Sequence, residues 1–243
     1  MANLVAVDNE NHRKVQIDTD KLALHGAALN MVPVVMSEFS SAAVQYPLAI
    51  TKNGDTGQFV CIALLGFEAG ENLFWENGEW QGLYLPLQIR RQPFFVGTPN
   101  SGNEAQADSV DYIVCIDSQS PAITCEGGMA LFDDRGLDTD YFQQAKACLA
   151  QLLTGEADNL ILIENLQSMG LLQSLSLKIT FENQTSMRLN GLYTVNQDTL
   201  AKLTDEQVLQ LHQLGLLGPI QTLNNSLGQV QTLIDLKNQR LDN

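Results

Sequence analysis

The sequence predicts an α+β fold, with an antiparallel, strand-rich N-terminal half and helices gathered in the middle and at the C-terminus. Three observations carry this: paired strand-like runs around turn residues before residue 96, a helical apolar period from Thr139, and a late strand pair followed by capped helices. At 243 residues the chain is long enough for one large domain or two small ones, either with a proper core, and a single domain over 1–243 is expected.

Ser37 is placed to cap a short helix over Glu38–Gln45, which ends before Pro47. Leu48–Lys52 and Gln58–Leu65 then form a hairpin across Asn53-Gly54-Asp55-Thr56-Gly57. The apolar run from Phe59 to Phe67 is too short to span a bilayer and fits a buried strand. Asn77-Gly78 supports the two positive φ angles of a type I′ turn, which sets Trp75 near Trp80. The polar loop Gly97–Asp108 is expected to be mobile, and Val110–Ile116 resumes as a strand. Phe142, Ala145, Leu149, Leu152 and Leu153 recur at helical spacing; Gly155 is expected to end that helix, with a second apolar segment over Leu160–Met169. Leu175–Phe181 and Met187–Val195 pair across Glu182–Ser186. Thr204 with Gln207 forms a capping box, and Leu227, Val230, Ile234 and Lys237 mark one face of the last helix.

Composition narrows the partners. Thirteen Lys and Arg against 28 Asp and Glu give a net charge of −15, which repels phosphate backbones and anionic lipid surfaces. The densest basic sites are His12-Arg13-Lys14 and Arg90-Arg91, so neither nucleic-acid binding nor membrane insertion is expected. The start, Met1 to Asp8, lacks the basic and apolar stretches of a secretory signal, and a cytoplasmic location is expected. Cys61, Cys115, Cys125 and Cys148 have no Cys-x-x-Cys spacing and read as free buried thiols, with a Cys115–Cys125 pairing left open.

No catalytic signature emerges. His12, His25 and His212 match no zinc-binding spacing, and each reads as structural or solvated. In Asp133-Asp134-Arg135-Gly136-Leu137-Asp138, Leu131 and Phe142 occupy the positions where a calcium loop needs its first and last ligands; a solvated turn capping the following helix is expected. There is no nucleophile elbow, phosphate loop or dinucleotide fingerprint, and no metal or cofactor is implied.

One segment rises above this background, Tyr46 to Phe95. Residues 67–95 hold seven of the 16 aromatics, together with Arg90 and Arg91. Adjacent residues diverge by about 100° on a helix and point oppositely on a strand, so at most one arginine faces a given pocket. Read functionally, Trp75, Trp80 and Tyr84 wall a cleft in which an arginine fork takes a carboxylate or phosphate. Read structurally, the tryptophans are a hairpin pair, and one arginine is paired internally while the other is exposed.

Tyr46-Pro47-Leu-Ala-Ile-Thr-Lys52, Ala63-Leu-Leu-Gly66, Glu71-Asn-Leu-Phe74, Gly78-Glu-Trp80, Tyr84-Leu-Pro86 and Arg90-Arg91-Gln-Pro-Phe94 also resemble the SapC family of bacteria. The likeness continues through Leu131-Phe-Asp133, Gly191-Leu-Tyr193, Leu203-Thr-Asp205-Glu206 and Ser226-Leu-Gly228. This family is distinct from the peptide-transporter permease of the same name. The resemblance implies a surface-layer association in name, and an accessory role beside outer-membrane receptors and halogenase-like proteins in uptake or peptide modification. Family members commonly carry tyrosine at the position of Gln92 and histidine at that of Leu223, whereas His12, Arg90 and Arg91 match the family pattern. The expected function is therefore a non-catalytic binding or accessory protein. Its candidate ligand-binding residues are Arg90, Arg91, Trp75, Trp80, Tyr84 and His12, for a protein or peptide partner or a small anionic ligand. A surface-layer structural component and an enzyme with a dispersed site are the alternatives.

Overall fold

A computed structural model describes residues 3–97 and 112–241. Antiparallel strands and helices build two compact units, each from two stretches of chain: residues 1–25 with 87–153, and residues 26–86 with 154–243. The α+β expectation holds. The Tyr46–Phe95 segment is divided, with residues up to Pro86 in one unit and Leu87 onward in the other.

In the first unit, Ile113–Asp117 lies between Leu4–Ala6 and Phe94–Gly97, antiparallel to both. A second small sheet sets Gln16–Ile17 between Ile123–Thr124 and Met129–Ala130. Their inward side chains meet the first turns of the helix that begins at Asp140. Ile17, Phe94, Ile116, Leu131, Phe132, Phe142 and Leu149 form the core, with the Phe142 ring 5.5 Å from Phe94 and 5.4 Å from Phe132. Just before this helix, Asp133 accepts N–H bonds from Arg135 (2.9 Å) and Leu137 (2.8 Å), closing the acidic segment into a turn through Gly136 at φ 81°. The helix cap itself is Thr139, whose hydroxyl accepts the Phe142 N–H.

The second unit is built on a five-stranded antiparallel sheet in the order Leu172–Thr180, Ser186–Val195, Leu48–Lys52, Phe59–Leu64, Met31–Pro33. Leu48, Ala49 and Ile50 are all buried, as are Cys61 through Leu65. Such unbroken burial means both faces of these strands are covered, which is why the sequence reads there as continuous apolar runs. Leu217–Ser226 packs on the strands Leu48–Lys52 and Ser186–Val195, and its Ser226 hydroxyl accepts the Leu48 N–H at 2.9 Å. Leu223 is a buried core residue of this helix. Asp205–Gln213 starts with the expected Thr204–Gln207 box. On the last helix, Val230–Leu241, the buried residues are Leu233 and Asn238 and not the expected Val230, Ile234 and Lys237, and Asn238 accepts the Glu182 N–H. Lys237 is ion-paired with Glu71 and Glu68, and Glu71 also accepts the Phe67 N–H.

Several expectations need correction. The short early helix is a 3₁₀ turn over Met36–Glu38 continued by Phe39–Ala42, and Glu38 supplies the reach-back by accepting the Val35 N–H at 3.0 Å. All four cysteines are free: Cys61 and Cys115 are buried, Cys148 is half-buried and Cys125 is exposed. The loop expected over Gly97–Asp108 lies, beyond Gly97, outside the described residues. The helix expected to end at Gly155 runs without interruption over Asp140–Ser168 and absorbs the second apolar segment through Ser168.

Gly155 is there for space. A Cβ at this position would sit 2.5 Å from the Val35 Cβ, so the helix can lie this close to Val35 only without a side chain. Asn159, one turn on, fixes the same approach by donating to Val34 O (2.8 Å) and accepting from Met36 N–H (2.9 Å). Gly155→Ala is therefore expected to destabilise by about 1–2 kcal/mol, overpacking outweighing the ~1 kcal/mol gain in helix propensity. In a Val35→Gly background, which removes the Cβ as well as both methyls, the same substitution should become neutral or stabilising. Urea unfolding of the four proteins of this cycle checks the change of sign.

Candidate functional site

Arg90 ends the short helix Leu87–Arg90, where adjacent side chains diverge, and its guanidinium is treated differently from that of Arg91. Arg91 is half-buried and held in place. Its Nε donates to Gln88 Oε1 at 2.7 Å, its Nη1 donates to Phe94 O at 2.7 Å, and its guanidinium lies 4.2 Å from the centre of the Phe95 ring. Arg90 is exposed, and its side chain has no hydrogen-bond or ion-pair partner among the described residues. It lines a concavity of ≈ 320 Å³ in the first unit.

The opposite wall of that concavity comes from one helix. Tyr141, Gln144, Ala145, Cys148 and Gln151 recur every three or four residues along Asp140–Ser168 and share a stripe, and Leu22 adds an apolar edge. Burial pushes the Tyr141 phenol up to about 12, so its hydroxyl stays protonated and neutral. The Cys148 thiol points to Leu87 O at 3.9 Å. The site thus offers one full positive charge, amide and phenol groups, and a largely apolar floor. That combination suits an anionic group attached to an apolar body.

Beside Arg91, His25 Nε2 is 3.2 Å from the buried Ser120 hydroxyl. Partial burial holds His25 below its ordinary value of 6.5; Asp117 opposes this and Arg91 adds to it.

A second concavity of ≈ 520 Å³ in this unit is lined by Val7, Asp8, Asn9, Phe132, Asp138 and Lys146, among others. Its cation is already used, since Lys146 is ion-paired with Asp138. His12 lines neither concavity. Its ring nitrogen Nδ1 accepts the Asp8 N–H at 3.3 Å, as part of a turn in which Asp8 also accepts N–H bonds from Glu10 and Asn11.

Trp75, Trp80 and Tyr84 belong to the second unit. Trp75 and Trp80 face each other across a two-stranded ribbon, with Asn77 at φ 52° and Gly78 at φ 85° as a type I′ turn requires. Their surroundings form a chain of satisfied polar tips. Trp80 Nε1 donates to Tyr46 Oη (3.2 Å), Tyr46 Oη donates to Tyr84 O, and Tyr84 Oη donates to Glu38 Oε2 (2.9 Å). Tyr46 is fully buried with Phe74 at 4.8 Å edge-on, and Glu38 is 2% exposed. The sequence set the aromatics of this segment around the two arginines; the structure sets three of them around Tyr46 and a buried carboxylate.

A family model, SapC, matches residues 7–233, nearly the whole chain. The chain belongs to the SapC family. No curated protein and no solved structure matches it. No helix among the described residues is long and apolar enough to cross a membrane. Among the described residues no group of three or more His, Cys, Asp and Glu side chains is arranged to hold a metal ion.

Sequence reasoning named Arg90 but missed its opposite wall. The apolar stripe Phe142–Leu149 was read from its period; the neighbouring stripe of Tyr141, Gln144, Cys148 and Gln151 is one residue out of phase and visible on the same helical wheel. Glu38 was read only as the first residue of a helix.

Two outcomes are expected. Tyr84→Phe removes the hydroxyl that donates to the buried Glu38 carboxylate and should cost about 1–3 kcal/mol in urea unfolding. For His25, folding favours the neutral ring, so its contribution is complete above 6.5 and is lost as pH falls below that value. His25→Asn should shrink the stability difference between about pH 7.5 and pH 5.5, as measured by thermal unfolding.

Proposed function

We propose that this SapC-family protein is a non-catalytic binding or accessory protein, and that Arg90 recognises a carboxylate or phosphate of its ligand or partner. The carrying observation is a single one: an exposed guanidinium without a partner among the described residues, lining a concavity whose other wall is a helical stripe of amides, a phenol and small apolar side chains. In a protein with 28 acidic side chains against 13 Lys and Arg, a cation left unpaired inside a concavity is a selective element. The resemblance to the SapC family is the support for an accessory role linked to outer-membrane-receptor uptake or peptide modification; a cytoplasmic location is part of the same proposal. Arg91 keeps the short helix in place beside Phe94 and Phe95 and acts as a positioning residue.

Thermal-shift titration of the purified chain with a panel of aliphatic and aromatic carboxylates and phosphates tests this. At least one should raise the melting temperature of the wild-type protein and of Arg91→Ala, and lose tenfold or more in affinity with Arg90→Ala, about 1.4 kcal/mol. Equal shifts in Arg90→Ala, or none from any compound, would count against the reading. Arg91→Ala should itself melt lower, because it removes the bonds to Gln88 Oε1 and Phe94 O and the stack on Phe95.

A further inference from the structure

The hairpin at one side of the five-stranded sheet is more open than a structural role requires. Leu172–Thr180 is the edge strand, nine residues long. Apart from its pairing with Ser186–Val195, no backbone hydrogen bond from another element reaches it among the described residues. Its two faces differ. Leu177, Ile179, Met187 and Leu189 lie on one side, where Ile179 is buried and the turn residue Phe181 packs edge-on against Phe67. The other side is a ladder of three exposed polar pairs. Ser176 donates to Asn190 (2.8 Å) and Thr180 bonds Ser186 (3.0 Å), but the rung between them is Lys178 opposite Arg188.

Two like charges directly opposite on a strand pair repel, and oppositely charged pairs are the usual choice there. Neither Lys178 nor Arg188 has an ion-pair or side-chain hydrogen-bond partner among the described residues, in a chain with more than twice as many acids as bases. A bulge at Gly191, at φ 79°, absorbs the one-residue shift in register, and both cations stay on the solvent side.

We propose that the outer edge of Leu172–Thr180 is a docking site for an extended acidic segment of a partner protein, which adds as a further antiparallel or parallel strand and sets its carboxylates against Lys178 and Arg188. Backbone pairing supplies the affinity and the cationic rung supplies the selection. Strands lie about 4.8 Å apart, so an acidic side chain on the added strand stands next to Lys178 and within the reach of the long Arg188 side chain. A second copy of this chain is a poorer occupant. It brings the same two cations and neutralises neither, and a lysine on an edge is a recognised defence against self-pairing.

Fluorescence anisotropy with the full chain tests this. The probes are a labelled peptide of about eight residues alternating glutamate with valine, the same peptide with lysine for glutamate, and the acidic peptide with alternate backbone amides N-methylated. The acidic peptide should bind, weakening as salt rises. The lysine and N-methylated peptides should bind at least tenfold more weakly. The double variant Lys178→Glu, Arg188→Glu should lose the acidic peptide and gain the lysine peptide, a swap that misfolding cannot produce. Equal binding of the N-methylated peptide would overturn strand addition. Unchanged affinity in the double variant, or no saturation by the acidic peptide up to about 1 mM, would overturn the site. A dimer of the unmodified chain that the peptide dissociates would assign the edge to a second copy instead.

Discussion

The continuity of one helix is the constraint on which the other features depend. Asp140–Ser168 supplies Phe142, Leu149 and Leu152 to the buried set of one unit, and Leu162, Ile163 and Leu166 to that of the other. A helix of 29 residues with a single apolar stripe would serve one core; this one must satisfy two sets of neighbours along its length. The apolar phase read from Phe142 to Leu153 therefore describes only its first half. Gly155, just past the point where the contacts change over, is the position at which a side chain is least affordable, because Val35 occupies the space.

The same helix also explains why Arg90 has a concavity to line. Once Phe142 and Leu149 turn inward, the helical period obliges Tyr141, Gln144, Cys148 and Gln151 to form the neighbouring stripe at the boundary between core and solvent. Side chains at such a boundary can be apolar enough to pack and polar enough to address a ligand. Arg91, one residue on, is turned by about 100° and falls among Gln88, Phe94 and Phe95, where its bonds stiffen the segment that presents Arg90. The two arginines thus divide the work between holding and presenting, and the division follows from helix geometry alone.

What could be read from the sequence was whatever rests on local periodicity and turn chemistry. The hairpin from Leu48 to Leu64, the Asn77-Gly78 turn between the tryptophans, the Thr204 capping box and the late strand pair all stand close to where they were expected. The failures are of one kind: they needed a partner distant in sequence. Nothing near Gly155 shows that Val35 will press against it, and glycine in a helix reads locally as a break. Nothing near Glu38 shows that its carboxylate will take the Tyr84 hydroxyl, so a buried acid was taken for an ordinary first-turn residue. In the aromatic segment the missed contact is likewise distant in sequence: Trp80 and Tyr84 share a hydrogen-bond network with Tyr46.

Charge gives the remaining step. A chain at −15 has abundant carboxylates with which to pair its 13 Lys and Arg, and several are so used, such as Lys237 with Glu71 and Lys146 with Asp138. Among the described residues Lys21, Arg135, Lys146 and Lys237 are ion-paired, a minority of the 13 Lys and Arg, so an unpaired cation is distinguished by its setting and not by rarity. Arg90 and the Lys178–Arg188 rung have two different settings, one in a concavity and the other on an open strand edge. The first suits a compact anionic group on an apolar body, because its walls limit the volume. The second suits an extended acidic chain, because its backbone groups repeat along a line. The two surfaces select different shapes of the same charge, so a loss of binding at one carries no implication for the other.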